Sequence, residues 1–350
     1  MSLNLTRTRW GRAIEPSVLL RTAVGFTKST LFDVASGSPE KRLAKIEALI
    51  DEAGGFAEKG KIPEAITCFK KARSKLVHTD PVKVAAAIED EHRKLNQESA
   101  DFEQRAKMLS SEAKAIRKAV VVSDSLGLPR GAPGSKTEAS KLEMTASGLI
   151  LEAILKTGSA SVQPLCRRYG TTAFMLEALH SRADCKNADV LIHIGLNDCV
   201  VRMFMEDQRL ALSTLAAEVR QKIVKFAQDY RVPLVESDLE HTYTPLPVYE
   251  RRLEEAANLA RSKGARSVTF VTIIQPPTKF GAKTPHMSWS FNRFNMVLYD
   301  VAKRERCHLI DMDRLCWEQG TQITLSSDGM HLSAAGHALM AEKFITLVKV

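Results

Sequence analysis

From residue 118 onward, short apolar runs alternate with longer amphipathic segments, and this alternation restricts the possible folds more than any other feature. Five runs are rich in β-branched residues: KAVVVSD, SVQPLCRR, ADVLIHIG, RSVTFVTII and CHLIDMD. Strands separated by helices pair in parallel, because each helix returns the chain across a face of the sheet. The pattern predicts an α/β domain at 118–350 with a five-stranded parallel sheet. Its functional site is expected beyond the carboxyl ends of the strands.

Residues 39–117 lack strand signals and are typical of helices, being rich in Ala, Glu, Lys and Leu. Small and aromatic residues at helical spacing resemble one tetratricopeptide repeat of about 34 residues: Ala53, Phe56, Gly60, Ala65, Phe69 and Ala72. A single repeat cannot bury a solenoid core, so we predict a helical hairpin capped by a charged helix at about 81–117. The region is either a module that docks a protein partner or a scaffold for the following domain.

The net charge of +9 raises the question of a nucleic-acid partner, and its distribution argues against one. Residues 1–30 hold five basic side chains and one acidic side chain, and no basic stripe follows. We predict a basic N-terminal arm at 1–38 and no nucleic-acid partner. The arm carries Trp10 and Phe26, so peripheral contact of 1–30 with an anionic membrane surface is one interpretation. A packed helix or a loose tail is the other.

Six scattered cysteines form no C-x-x-C motif, and no apolar run approaches the roughly 20 residues that span a bilayer. These features predict a cytoplasmic protein, with the inner face of a membrane as the alternative location. Histidines and carboxylates show no metal-ligand spacing, so we predict no metal and no cofactor. His193, inside the apolar run LIHIG, is expected to be a hydrogen-bonded core residue, and His337 is expected to pack on the last helix.

Reactive residue types follow the predicted strands. SDSL follows the first strand, YGTT the second and GLND the third, while DGMH lies near the end of the chain before an alanine-rich helix. Parallel strands bring such turns to one edge of the sheet. A serine hydroxyl needs an imidazole to accept its proton, and the imidazole needs an acid to hold its tautomer. The set favours acyl transfer through an acyl-serine.

These four motifs resemble the SGNH, or GDSL-type, hydrolase superfamily over residues 118–350. The resemblance implies a three-layer, flavodoxin-like α/β/α fold. It also implies a catalytic triad in which Ser125 is the nucleophile, His331 the general base and Asp328 the acid that orients the base.

The resemblance further implies an oxyanion hole, which stabilises negative charge on the attacked carbonyl oxygen. Its donors are the N–H of Ser125, the N–H of Gly170 and the side-chain amide of Asn197. The chain departs from the family at Ser123, where the family has glycine. A serine fits there if the backbone stays extended, and we predict that its hydroxyl hydrogen-bonds the turn.

Candidate substrate-binding residues flank these motifs. Arg130 follows the first turn, Arg202 follows GLNDC, and Trp289 lies in QPPTKFGAKTPHMSWS together with Lys279 and Lys283. Cations pair with carboxylates or phosphates, and aromatic rings stack on sugars. The alternative is an ordinary solvated loop.

We therefore predict a serine esterase that hydrolyses O-acyl esters, above all O-acetyl esters. The expected substrate is a small-molecule or polysaccharide ester with a carbohydrate as its alcohol. Two alternatives stay open. One is an O-acyltransferase that passes the same acyl group to a sugar hydroxyl. The other is a docking protein whose SGNH domain is a folded platform without catalysis.

Overall fold

The computed structural model describes residues 38–110, 117–130, 139–277 and 284–349. Apart from Ser38, the predicted N-terminal arm lies outside these residues, as do Lys279 and Lys283. The described helices are α1 (Pro39–Glu58), α2 (Ile62–Lys75), α3 (Pro81–Leu109), α4 (Ala146–Leu155), α5 (Thr172–Ser181), α6 (Leu196–Cys199), α7 (Glu206–Ser213), α8 (Ala217–Asp229), α9 (Arg231–Glu236), α10 (Leu246–Ser262), α11 (Met287–Arg304), α12 (Met312–Gln319), α13 (Thr321–Thr324) and α14 (Ala334–Leu347). The strands are β1 (Arg117–Ser123), β2 (Ala160–Cys166), β3 (Ala188–His193), β4 (Ser267–Val271) and β5 (His308–Ile310).

Packing divides the chain into two compact units whose bounds differ from the predicted domains. One unit contains the residues up to Glu89 together with Glu206–Phe226, and the other contains Asp90–Met205 and Ala227–Val350. The division falls within α3 because the second part of that helix packs in the sheet unit. There, the Glu103 carboxylate accepts hydrogen bonds from Gln163 and Arg182, each at 2.6 Å.

The first unit is helical, as predicted. α1 and α2 form a hairpin around a turn at Gly60, whose φ of 71° favours glycine. The buried residues of this pair are Ile46, Ile50 and Ala53 of α1 and Ala65, Ile66, Cys68, Phe69, Ala72 and Arg73 of α2. A helix is present within the predicted range 81–117, namely α3, and α7 and most of α8 also belong to this unit. Phe226 of α8 stacks on Phe69 with 4.9 Å between ring centroids. The likeness to a tetratricopeptide repeat stays a prediction.

The second unit contains a parallel sheet with the strand order β2-β1-β3-β4-β5. All five predicted strands are present. β2, the next strand in the chain after β1, pairs with one side of β1, and β3 pairs with the other side. This reversal makes the β1/β3 boundary a topological switch point, where parallel sheets place their binding sites.

Helices cover both faces of the sheet and give the predicted three layers. Val120 and Val122 of β1 pack in a core with α5, α10 and α11. Ala119 and Val121, which alternate with them, pack in a second core with α4 and α14. A strand that is buried on both faces reads as a continuous apolar run, which explains the sequence of β1. Among the residues described, no helix has the length and apolar character needed to cross a membrane.

Candidate active site

Ser125 lies in a one-turn 3₁₀ helix, Ser125–Gly127, directly after β1. The Asp124 carboxylate accepts a hydrogen bond from the Leu126 N–H at 2.8 Å and closes this turn. From Ala119 to Leu128, every residue except Ser125 is buried. The turn therefore presents a single partly exposed hydroxyl at the carboxyl edge of the sheet.

The loop before α14 brings a histidine and an aspartate to this hydroxyl. His331 Nε2 lies 3.0 Å from Ser125 Oγ, although the two residues are 206 positions apart. His331 Nδ1 lies 2.8 Å from Asp328 Oδ2. Ser333 caps α14 by accepting a hydrogen bond from the Gly336 N–H at 3.2 Å, so the loop ends two residues after the histidine. The contacts run from hydroxyl to imidazole to carboxylate, which is the order that activates a serine.

Asp328 is held ionised and in one orientation. Its Oδ1 accepts hydrogen bonds from the Ser326 hydroxyl at 2.8 Å, the Met330 N–H at 2.9 Å and the His331 N–H at 3.0 Å. Partial burial raises the pKa of Asp328, but the hydrogen bonds from His331, Met330 and Ser326 outweigh it and hold the pKa far below its usual range. The carboxylate thus keeps the imidazole proton on Nδ1 and leaves the Nε2 lone pair directed at Ser125 Oγ.

The predicted oxyanion donors lie around the nucleophile turn, where two of them make local hydrogen bonds. Asn197 Nδ2 lies 3.1 Å from the Gly170 carbonyl oxygen and 3.3 Å from Asp124 Oδ2. The Gly170 N–H donates to the Arg167 carbonyl at 3.0 Å. Gly195, with a φ of 131°, begins the turn that presents Asn197. The turns after β1, β2 and β3 therefore meet at one place.

Ser123 is the last residue of β1 and is fully buried. Its hydroxyl donates to the His193 carbonyl on β3 at 2.8 Å. The predicted hydrogen bond to the turn is wrong, because the neighbouring strand offers the nearer acceptor. Gly127 makes room for the serine, since a Cβ at Gly127 would lie 2.6 Å from Ser123 Cβ and 2.8 Å from Cys166 Sγ.

Two buried carboxyl groups, which sequence reasoning missed, connect the three turns. Burial raises the pKa of Asp124 to about 7, and nearby Asp198 raises it as well, against the hydrogen bonds from Leu126 and Asn197. Asp198 accepts hydrogen bonds from the Thr172 N–H at 3.0 Å and the Thr172 hydroxyl at 2.7 Å. An aspartate in a polar turn gives no sequence signal of such burial.

Arg130 contacts both His331 and Asp328. Its Nη2 is 2.8 Å from Asp328 Oδ2, and its Nη1 is 3.1 Å from His331 Nε2. The sequence predicted Arg130 as a substrate-binding candidate, and its direct contact with His331 and Asp328 had no sequence signal.

The other two candidate substrate-binding residues have different surroundings. Arg202 donates to Asn197 Oδ1 at 3.0 Å, and its guanidinium lies 4.5 Å from the centroid of the Tyr243 ring. Trp289 is 41% exposed, and the Arg293 guanidinium covers its ring at 4.2 Å from the centroid. The structure therefore links Arg202 to the candidate oxyanion hole and leaves part of the Trp289 ring open to solvent.

His193 and His337 lie in the core. Burial lowers the pKa of His193 to about 4, and neither ring nitrogen has a hydrogen-bond partner among the described residues, so the predicted hydrogen-bonded state is wrong. His337 accepts a hydrogen bond from the Ala146 N–H at 3.2 Å, and burial lowers its pKa to about 3. No cluster of three or more potential metal ligands occurs in the described ranges.

Comparison with protein families matches residues 157–339 to the GDSL-like Lipase/Acylhydrolase family. The matched residues include Gly170, Asn197, Asp328 and His331 and begin after Ser125. A comparison with curated proteins gives no match.

Several solved structures are similar to this chain. A lipase/acylhydrolase from Enterococcus faecalis is 17% identical with a TM-score of 0.46, covering 67% of this chain and 96% of that chain. The acetylxylan esterase Axe2 from Geobacillus stearothermophilus is 15% identical with a TM-score of 0.44, covering 67% and 95%. A member of the lipolytic protein G-D-S-L family from Veillonella parvula is 14% identical with a TM-score of 0.41, covering 66% and 97%.

Proposed function

The chain belongs to the GDSL-like lipase/acylhydrolase family, and on this premise we propose that it is a serine esterase with Ser125 as its nucleophile. The observation that supports this most is the continuous chain of contacts from Ser125 Oγ through His331 to Asp328, at 3.0 and 2.8 Å. The nucleophile is also the one partly exposed residue of a buried segment.

In the proposed first step, Ser125 Oγ attacks the ester carbonyl while its proton moves to His331 Nε2. Asp328 stabilises the imidazolium that forms, because its carboxylate already faces Nδ1. The imidazolium then gives its proton to the departing alcohol, which leaves an acyl group on Ser125. In the second step His331 takes a proton from water and the hydroxide that forms attacks the acyl-serine. The bond from the acyl carbon to Ser125 Oγ then breaks, the imidazolium returns its proton to Oγ, and the carboxylic acid leaves.

We propose that hydrogen-bond donors where the three turns meet stabilise the negative charge that develops on the carbonyl oxygen. These are the N–H groups of Ser125 and Gly170 and the amide of Asn197. An oxyanion accepts hydrogen bonds more strongly than a neutral carbonyl. It therefore competes well with the Arg167 and Gly170 carbonyls that the glycine N–H and the amide contact in the free chain.

We propose short O-acyl esters, with O-acetyl esters first, as the substrate class, and a carbohydrate as the alcohol. The partly exposed Trp289 ring supports a sugar, because aromatic faces stack on sugar rings. Transfer of the acyl group to a second sugar would use the same triad. Product analysis with an acetyl donor, with and without an acceptor sugar, distinguishes free acetate from a new sugar ester.

Hydrolysis of p-nitrophenyl acetate tests the esterase proposal. We expect Ser125→Ala and His331→Ala to lose nearly all activity, while Ser123→Ala keeps most of it, because Ser123 contacts only the neighbouring strand through its hydroxyl. A fluorophosphonate probe should label Ser125 in the wild type, as read by mass spectrometry of the modified peptide. Activity that survives Ser125→Ala and disappears in Ser123→Ala would overturn the assignment.

A further inference from the structure

Arg130 makes contacts that the hydrolysis of a neutral ester does not need. Its Nη1 lies 3.1 Å from His331 Nε2, the same nitrogen that faces Ser125 Oγ at 3.0 Å. A neutral imidazole with its proton on Nδ1 has one lone pair on Nε2, and here two donors compete for it. Transfer of the Ser125 proton therefore requires that the guanidinium release Nε2.

The Arg130 guanidinium also opposes the charge that develops during catalysis. His331 becomes a cation when it accepts the Ser125 proton, and a permanent cation at hydrogen-bond distance destabilises that state. An anion bound to Arg130 would offset the guanidinium charge and draw the side chain away from Nε2. Arg130 can be reached from solvent, since its side chain is 37% exposed whereas that of His331 is 14% exposed.

We propose, on the premise of the esterase function above, that the site takes esters bearing a carboxylate or phosphate near the scissile bond and that Arg130 binds this group. A guanidinium has five N–H donors in a planar fork that matches two oxygens of such an anion. In the free chain, Asp328 is the one carboxylate that pairs with Arg130 among the described residues. The substrate anion replaces this contact, and Nε2 is left to Ser125.

A second cation supports the same substrate class. Arg202 donates to Asn197 Oδ1 at 3.0 Å, and over the described parts of the chain it forms no ion pair with a carboxylate. The neighbouring Asp124 is buried and has a raised pKa, so it offsets this charge only in part. The surroundings of the nucleophile thus favour an anionic ester over a neutral one.

Two matched esters test the proposal, namely 3-acetoxybenzoate and its neutral methyl ester. We expect Arg130→Gln to lower the ratio of their kcat/KM values, anionic over neutral, by about tenfold or more, because a charge-assisted contact is lost. The same variant should raise kcat for the methyl ester, since Nε2 no longer accepts from Arg130. Arg314→Gln is the control, because the exposed Arg314 pairs with Asp311 and Glu318. An unchanged ratio in Arg130→Gln, or an equal loss on both esters, would refute the proposal.

A binding measurement separates this inference from the esterase proposal. In Ser125→Ala, calorimetry reports the binding of 3-acetoxybenzoate, 3-acetoxyphenyl phosphate and the neutral methyl ester without turnover. We expect at least one anion to bind more tightly than the methyl ester, and the difference to vanish when Arg130→Gln is added. If the wild type hydrolysed neither these esters nor p-nitrophenyl acetate, such binding would support the inference and contradict the esterase proposal. Hydrolysis without any preference dependent on Arg130 would contradict the inference alone.

Discussion

Replacing Asp328 by asparagine should stop catalysis and preserve the fold, because the two carboxylate oxygens face different partners. Oδ1 accepts hydrogen bonds from the Ser326 hydroxyl and from the N–H groups of Met330 and His331. Oδ2 faces His331 Nδ1 and Arg130 Nη2, each at 2.8 Å. Asparagine has an oxygen for one of these positions and an NH₂ group for the other.

The hydrogen bonds decide which way the amide turns. With the NH₂ group at the Oδ1 position, the Met330 and His331 N–H groups lose their acceptor, while the Ser326 hydroxyl can turn to accept a hydrogen bond from the amide. With the NH₂ group at the Oδ2 position, His331 keeps a hydrogen bond to the amide by moving its proton to Nε2, and the partly exposed Arg130 exchanges its contacts with Oδ2 and Nε2 for water. At about 1 kcal/mol for each hydrogen bond, the second arrangement is favoured by roughly 2 kcal/mol, or about 30-fold. In that arrangement Nε2 carries a proton and cannot accept one from Ser125.

Loss of the negative charge of Asp328 lowers kcat further. A hydrogen bond to a charged partner contributes about 2 kcal/mol, so the imidazolium loses roughly another 30-fold in stabilisation. Together the two factors predict that Asp328→Asn lowers kcat for p-nitrophenyl acetate by about 10³-fold, with little change in the unfolding temperature.

Steady-state kinetics at saturating p-nitrophenyl acetate, with circular dichroism to follow unfolding, measure both quantities. Ser326→Ala is the matched control, because it removes one donor to Oδ1 and leaves the contact between Asp328 and His331 in place. We expect this control to keep kcat within about threefold of the wild type. If Asp328→Asn retained a tenth or more of the wild-type kcat, the tautomer argument would be refuted.

Three further changes have distinct expected results. Asn197→Ala should lower kcat by about 10²–10³-fold with little change in KM, because one oxyanion donor is removed, and an equal rise in KM would contradict this role. Gly195→Ala should lower kcat and should lower the free energy of unfolding by about 1–3 kcal/mol. The φ of Gly195 is 131°, and a Cβ there would lie 2.8 Å from Ile273 Cδ1 and 2.9 Å from the Tyr249 hydroxyl oxygen. An unchanged free energy of unfolding in urea would exclude that strain. Asp124 has a pKa raised to about 7 in the folded chain and about 3.9 when unfolded, so its contribution to stability is present below about pH 4 and lost as pH rises to about 7. From pH 5 to pH 8 the free energy of unfolding in urea should therefore fall by roughly 3 kcal/mol more in the wild type than in Asp124→Asn. Parallel pH profiles of the two free energies would contradict a buried carboxyl with a raised pKa.

The strands and the motif positions could be predicted from the sequence because they depend on local patterns. Val120 and Val122 alternate with Ala119 and Val121 in a run that is apolar on both faces, and only a strand covered by helices on both sides suits such a run. Turn chemistry is equally local, since Asp124 closes its turn by a bond to a residue two positions away. The family resemblance added the three-layer arrangement, whereas the order of the strands came from the structure.

Contacts between residues far apart in the chain depended on the tertiary structure. Ser123 bonds the carbonyl of His193, 70 positions away, because β3 pairs with β1 in a register that the sequence of either strand does not encode. The segment containing Phe226 packs with the helical hairpin, although it follows the third strand in the chain.

The sequence alone thus determined which residues form strands, helices and reactive turns, because period, capping and turn preference act within a few residues. The tertiary structure decided how those turns meet. It brought Arg130 to His331 and Asp328, about 200 positions later, and it buried Asp124 next to Ser125. The charge around the base and the pKa of the buried acid depend on desolvation and on distances across the sheet, which only the packed chain defines.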